Sequence, residues 1–387
     1  MTLIANVLFI FSGLCLLIAL HPFITYPLSL KVFNVIRRPG KSHMKVEPAT
    51  GRFAICMCAY NEEHVIKAKM LNLLAMRQQE PDLEILVYVD AASDRTAELL
   101  APFASQIKLH VSPVRHGKTH GMNLLVSQTT APYIVFTDAN VRLDIEGLQK
   151  LRNYFAHPSI GCVCGDLIYT NGDDSVTAAT GSLYWRLEQA IKSLEQASGS
   201  VMGADGSLFA IRRELHQPPP DHIIDDMYVS FMILCQGYRV VQANDVRAYE
   251  ESVSNGMEEF RRKIRIACQA FNVHRILWPA IRELNALTIY KYVSHKLLRW
   301  LSIYFLVLSA CLFEIALLFA QWPLLALILP LVTALCFYIG LRWSAGPLTS
   351  VVEVIRSLGG AGIGVWQSVR GQRYQTWQPS ASIRGQG

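Results

Sequence analysis

Four acidic positions stand out as candidates for chemistry: Asp90, Asp138 and the adjacent pair Asp225 and Asp226. Asp90 ends the apolar run "LEILVYVD", Asp138 ends "YIVFTD", and the pair stands before "MYVSFMILC". A carboxylate at a strand end is a fitting ligand for a hard cation, which prefers oxygen donors. Asp138 raises the question most directly, because Asn140 stands where a second acid would complete an Asp-x-Asp ligand pair. "DAN" is then either a metal element with one charged ligand exchanged for an amide oxygen, or only the end of a buried strand. Taken singly, each acid reads as well as a turn former or helix cap. Their succession along the chain, with basic residues downstream, favours a shared site.

The surrounding elements must place these acids together. Residues 50–270 alternate β-rich runs with helix-like stretches. "RFAICMCAY", "LEILVYVD", "IKLHVS" and "YIVFTDAN" read as strands. "NEEHVIKAKMLNLLAMRQQ", "DRTAELLAPFA" and "HGKTHGMNLLVSQT" read as the helices between them. Near-continuous apolar strands alternating with helices predict an α/β domain with a mostly parallel sheet. Such sheets bind ligands at the carboxyl ends of their strands. Tyr60-Asn61-Glu62-Glu63, Asp90 with Asp94, and Asp138-Ala139-Asn140 all fall there.

The rest of the chain is apolar. Hydrophobic residues make up 51% of 387 positions, more than a purely soluble enzyme of this length would normally carry. Residues 3–20 form an uncharged run long enough to cross a bilayer, with no basic leader and no small-residue cleavage site, so an uncleaved anchor is expected. Residues 301–320 and 323–341 form a second and third run joined by Gln321-Trp322-Pro323. Glu314, inside the second run, has either an intramembrane role or a place near the far interface. Lys31, Arg37, Arg38, Lys41 and Lys45 follow the first run, Lys291, Lys296 and Arg299 precede the second, and Arg342 and Arg356 follow the third. The positive-inside rule puts these flanks, and the α/β domain between them, in the cytoplasm. The expected order is an anchor over 1–24, a basic linker over 25–49, the catalytic domain over 50–285, a helical hairpin over 286–345 and an amphipathic tail over 346–387. The tail either lies on the membrane surface or packs against the hairpin.

The net charge of +6 is compatible with nucleic acid, anionic lipid or phosphorylated substrates. No basic-aromatic repeat or RNA-binding signature supports nucleic acid. The nine cysteines lie in apolar runs or as two-apart pairs too close for a zinc site, and read as core residues in a reducing compartment. His116, His120 and His222 read as polar neighbours of the site segments rather than as metal ligands. "QPPPD" (217–221) is a rigid break, a candidate hinge.

"CAYNEE" (58–63), "VYVDAASDRTAE" (87–98), "RHGKTHGMN" (115–123), "VFTDAN" (135–140), "GADGSLFAIRR" (203–213), "IIDDMYVS" (223–230) and "FRRKIRIACQA" (260–270) follow one another in this order. The ordered set resembles the family 2 glycosyltransferases, membrane-anchored inverting enzymes with the Rossmann-like GT-A fold. The resemblance covers roughly 50–280. It implies a nucleotide-diphosphate sugar donor, usually a UDP sugar, and a divalent cation, Mg²⁺ or Mn²⁺. It places Asp90 on the nucleoside, with Ala59, Tyr60, Asn61, Glu62, Asp94 and Ala139 around the nucleotide sugar. Asp138 and the Asn140 amide oxygen become metal ligands, and Lys118 and Arg262 donor contacts. Gly203, Asp205 and Gly206 line the acceptor site. Asp226 becomes the general base beside Asp225, which replaces the family's usual Glu, and Arg265 meets the departing diphosphate.

Processive members carry Gln-x-x-Arg-Trp where this chain has Arg262 and Ile266 at the Gln and Trp positions. That departure argues against a polymer-extruding synthase. The expected function is inverting sugar transfer to a lipid-linked or glycan acceptor at the cytoplasmic face of the inner (plasma) membrane, for cell-envelope polysaccharide or glycolipid. Membrane lipids are expected partners, and an oligomer or export partner would supply helices for secretion. The alternatives are a processive synthase or an inactive transferase-like scaffold. The segment "YQTWQPS" resembles a tail that returns to the catalytic face in related transferases. Trp377 within it otherwise reads as an interfacial anchor.

Overall fold

The computed structural model describes residues 2–37, 47–170, 176–251, 255–343 and 346–377, with side chains of the helix opening at 176 described from Tyr184. Arg38, Lys41 and Lys45 lie outside the described residues. The chain opens with helices α1 (Thr2–Leu20) and α2 (Thr25–Arg37). Strand β1 (Phe53–Ala59), helix α3 (Ile66–Gln79), β2 (Glu84–Asp90), α4 (Thr96–Leu100), β3 (Lys108–Ser112), α5 (Lys118–Ser127) and β4 (Tyr133–Asp138) then alternate as expected. β5 (Arg142–Leu143), α6 (Gly147–Phe155), β6 (Ile160–Tyr169), α7 (Val176–Ala197), β7 (Leu208–Arg212), α8 (Asp225–Cys235) and β8 (Arg239–Glu250) complete the α/β part. Five helices follow: α9 (Gly256–Ile281), α10 (Ala286–Tyr292), α11 (Leu298–Phe319), α12 (Pro323–Arg342) and α13 (Pro347–Val369).

The strands form one eight-stranded sheet in the order β3-β2-β1-β4-β7-β6-β8-β5. β3, β2, β1 and β4 run parallel, β7 is antiparallel to both β4 and β6, and β8 is parallel to β6. This is the mixed, mostly parallel GT-A sheet. Register decides the site: Cys58 stands beside Asp138, and Asp90 beside Ser112. The polar ends of β1, β2 and β4 therefore emerge at one edge. Alternate residues of β1 serve the two faces, as strand geometry requires. Ala54, Cys56 and Cys58 enter the core shared with α5, α8 and α9, while Phe53, Ile55 and Met57 enter the core under α3 and α6.

Helix α9 starts where the Asn255 side chain accepts hydrogen bonds from the amides of Met257 (2.9 Å) and Glu258 (3.2 Å). Glu258 and Glu259 follow in its first turn, complementing the helix dipole. Helix α13 lies along α9 and α11. The approach needs a bare backbone: a Cβ at Gly364 would stand 2.4 Å from the carbonyl oxygen of Ile264. Among the described residues, four rods are long and apolar enough to cross a membrane: α1, the continuous 34-residue stretch Ala286–Phe319, α12 and α13. α1 pairs with α11, where Ser12 and Ser309 each donate a 2.9 Å hydrogen bond to the other's backbone carbonyl.

Candidate functional site

At the β2 edge, the loop from β3 to α5 wraps the Asp90 carboxylate. Asp90 is fully buried and accepts from the amides of His116 (2.7 Å) and Gly117 (3.1 Å). Gly117 has φ +95°, and a Cβ there would stand 2.1 Å from the carbonyl oxygen of Gln375. That carbonyl belongs to a segment running back from α13. Gln372 accepts from Asn272 (3.1 Å), Tyr374 from Gln269 (2.8 Å) and Trp377 from Arg115 (2.6 Å) through their backbone oxygens. The Arg115 guanidinium lies 3.5 Å over the Tyr60 ring and 5.7 Å from the Trp377 ring. Residues 372–377 thus cross the catalytic face, and Trp377 packs there. Gln378, Pro379 and Ser380 of the same segment lie outside the described residues.

Asn61 and Asp94 hold the loops instead of projecting into the central cavity. Asn61, at φ 53°, accepts from the Ser93 amide at 2.8 Å. Asp94 accepts from the amides of Glu63 (3.0 Å) and Thr96 (2.9 Å) and from the Thr96 hydroxyl (2.5 Å), so both of its oxygens are engaged. Ala59 is buried at the end of β1, whereas Glu62 lines the cavity.

The cavity itself measures about 510 Å³. Glu62, Lys118, Asp138, Ala139, Asn140, Gly203, Asp205, Gly206, Asp225, Asp226, Arg262 and Arg265 all line it. Lys118 opens α5 and places its Nζ 2.7 Å from Asp138 Oδ1 and 3.9 Å from Asp225 Oδ2. Burial pulls the ammonium down, but Asp138 and Asp225 outweigh it and hold Lys118 above the ordinary lysine range. Asp225 and Asp226 form the first turn of α8. Burial and the neighbouring Asp225 push Asp226 up to about 7, with Lys118 and the Met227 amide pulling the other way. The Asp225 Oδ2 atom is buried with no hydrogen-bond partner. A proton acceptor poised near neutrality therefore faces one lysine among three carboxylates.

The opposite wall is cationic and comes from α9. Arg262 is bidentate on Glu259, at 2.7 and 3.1 Å. Arg265 donates to the neutral Gln269 at 3.2 Å and has no ion pair among the described residues. Burial and Arg262 lower Arg265 to about 10. It remains a cation at neutral pH with its charge uncommitted to any described carboxylate.

Asn140 donates its amide N–H to Glu250 Oε1 at 2.8 Å, and Ser207 donates to Glu250 Oε2 at 3.3 Å. The Asn140 amide oxygen is left as its remaining acceptor. Burial and Asp138 raise Glu250 above the ordinary carboxylate range. Among the described residues no three His, Cys, Asp or Glu side chains form a metal cluster. The donor set is instead oxygen-only and sparse: Asp138, the Asn140 oxygen and the unpartnered Asp225 Oδ2. This suits a cation that keeps waters and phosphate oxygens in its shell.

Sequence reasoning missed Glu250 and Lys192. Lys192, on α7, is 2% exposed and bonds Asp205 Oδ2 at 3.1 Å, leaving Asp205 Oδ1 buried and unpartnered. Glu250 ends a strand as Asp90 and Asp138 do, but Gln242, Asn244, Asp245 and Arg247 interrupt β8, so no continuous apolar run marks it. "QPPPD" is tied to α5, with Asn123 donating to the Pro219 carbonyl (2.8 Å) and His120 facing Asp221 (3.0 Å).

Residues 54–217 match the family described as Glycosyl transferase family 2. A poly-beta-1,6-N-acetyl-D-glucosamine synthase of Staphylococcus epidermidis is 22% identical over 54% of this chain and 51% of its own length. An N-acetylglucosaminyltransferase of Rhizobium meliloti is 20% identical over 59% and 57%. The chain thus spans about half the length of these curated relatives. A mannosyltransferase from Pyrobaculum calidifontis, solved in complex with GDP-Man and Mn²⁺, superposes with a TM-score of 0.70 and 21% identity, covering 94% of this chain and 99% of that one. The shared fold is therefore close to complete.

Proposed function

We propose that this chain, whose residues 54–217 match Glycosyl transferase family 2, transfers a sugar from a nucleotide-diphosphate donor to an acceptor hydroxyl held at a membrane face, with inversion. The observation that carries this reading is that Asp226, Lys118 and Arg265 line one cavity. The acceptor oxygen attacks the anomeric carbon while the bond from that carbon to the diphosphate breaks. Asp226 takes the acceptor's proton, and the nucleotide diphosphate leaves with the bonding electrons. Lys118 and Arg265 lie where charge develops on the leaving diphosphate. Asp90 and the loop around it, with Tyr60 and Arg115, take the nucleoside end. Gly203, Asp205 and Gly206, braced by Lys192, face the acceptor.

The oxygen donors Asp138, Asn140 and Asp225 fit a divalent cation, Mg²⁺ or Mn²⁺. When bound, such an ion supplies Lewis-acid neutralisation of the diphosphate. The donor is a nucleotide sugar of the UDP or GDP class. The acceptor is lipid-linked or glycan, and the product belongs to envelope polysaccharide or glycolipid.

The same reading sets the topology. α1, the Ala286–Phe319 rod and α12 cross the inner membrane, so the chain after α12 returns to the cytoplasmic side. The contacts of α13 with α9, and of residues 372–377 with the catalytic face, support placing α13 on that side. Nucleotide release is measured with a panel of nucleotide sugars, with and without Mn²⁺. Release from one donor is expected, and no release from any donor would sink the reading.

A processive polymer synthase is the second reading, favoured by the polymer named for the staphylococcal relative. Ile266, at the position of the processive motif's Trp, speaks against it. Product length separates the two: a single added sugar or a ladder.

A further inference from the structure

The catalytic cavity has a second arm that sugar chemistry does not use. It runs from Asp226 toward the apolar helices and is lined by Phe23, Tyr184, Lys296, Arg299, Trp300 and Leu358. Phe23 sits in the turn between α1 and α2, Trp300 in α11 and Leu358 in α13. Phe23, Trp300 and Leu358 thus offer apolar wall beside the two cations Lys296 and Arg299.

The arm carries one unusual charge. Arg299 is 8% exposed, yet only part of its guanidinium is bonded. Nη1 donates to Glu188 and, at 2.9 Å, to the Tyr184 hydroxyl. Nε and Nη2 are buried without a hydrogen-bond partner among the described residues. These two N–H groups form one edge of the planar fork, the edge that grips a phosphate or carboxylate with two parallel bonds. Phe23 and Tyr184 flank the guanidinium at 5.5 and 5.4 Å and fix its plane. Lys296, 3.4 Å from Glu188, adds a second cation, so the Glu188 carboxylate faces two bases in this wall. An unmet pair of buried donors is costly, and an oxyanion entering the arm would satisfy both.

We propose that this arm binds the acceptor and that the acceptor is a membrane lipid with an anionic head, its oxyanion seated on the Arg299 Nε–Nη2 edge and its hydroxyl reaching Asp226. The inference rests on the transferase reading above for the acceptor role, while the binding of an anionic lipid stands alone.

The test uses the full chain in dodecyl maltoside micelles. Tetradecyl phosphate, tetradecanoate, tetradecanol and inorganic phosphate are titrated separately, with binding read from tryptophan fluorescence because Trp300 lines the arm. Saturable binding is expected for the two amphiphilic anions and about tenfold or more weaker binding for the alcohol and for free phosphate. Arg299→Gln is expected to weaken tetradecyl phosphate binding about tenfold while leaving UDP or GDP binding unchanged. The double variant Glu188→Gln/Arg299→Gln removes both charges together and serves if the single variant does not fold. Equal binding of tetradecanol and tetradecyl phosphate, or undiminished binding in either variant, would overturn the proposal. Free phosphate binding as tightly as the lipid phosphate would also overturn it, since the site would then select the ion alone. Loss of nucleotide binding in the parent would instead strike the transferase reading.

Discussion

Two groups of buried charge lie on either side of α7, and they are built in opposite ways. Beside the apolar helices Glu188 and Glu195 are both answered. Glu188 meets His295 at 3.0 Å, Lys296 at 3.4 Å and Arg299. Glu195 accepts from the Tyr26 hydroxyl at 2.6 Å, lies 2.6 Å from His295 Nδ1 and takes the Met202 amide at 2.9 Å. Burial would raise Glu188, but His295, Lys296 and Arg299 overcome it and hold the carboxyl well below its ordinary range. On the catalytic side Asp138, Asp225 and Asp226 share one lysine, and Asp226 is driven upward. The same residue types thus lock one junction and prime the other. Paired carboxylates join the apolar helices to the domain, and withheld pairing leaves Asp226 for its proposed role as base.

The largest effect expected from breaking this contrast is at the base. Asp226→Asn should lower transfer on the order of 10³-fold while nucleotide binding, measured by titration, stays intact. Full transfer by that variant would remove the assigned role. At the junction, His295→Leu leaves two buried carboxylates short of a partner and should cost about 3–5 kcal/mol in thermal or denaturant unfolding of the full chain. A variant as stable as the parent would show that the junction is not locked by its charges.

A subtler test moves charge without removing the base. Asp226 acts only when ionised, so kcat/KM should rise with pH through about 7 and level above it. Asp225→Asn deletes the negative neighbour that raises Asp226, so the acid limb should move to lower pH. An unmoved limb would assign the titration to another group. Asn140→Asp sets a third carboxylate beside Asp138 and Glu250, and should tighten Mn²⁺ binding measured by calorimetry. Weaker binding would mean that Asn140 serves Glu250 and not a cation. The smallest effect belongs to Ser12→Ala, which removes one of two reciprocal bonds between α1 and α11. About 0.6 kcal/mol of stability is expected to go, read from unfolding in micelles.

Much of the site was legible because its signals are local. Asp90 and Asp138 each close an apolar run, and Asp225-Asp226 precede one, so strand or helix context travels with the residue. The pairs that complete the site are not local. Asn140 meets Glu250 across 110 residues, and no apolar run leads up to Glu250 to mark it. Lys192 reaches Asp205 across the fold, whereas its own helix offers Glu188, four residues earlier, as the nearer partner in sequence. The tail was read as amphipathic, with surface and packed arrangements both open. Its glycines decide for packing, since Gly364 admits the α9 backbone where a side chain would collide.

The pairing of Ser12 with Ser309 has a consequence for the order of synthesis. The two residues are separated by 297 positions, so α1 leaves the ribosome long before its partner exists. During that interval the sheet and α9 are made, but α13 and the segment over Asp90 have not arrived. Arg262 and Arg265 are therefore in place before α1 meets its partner, and the cover over Asp90 is completed only by the last residues made.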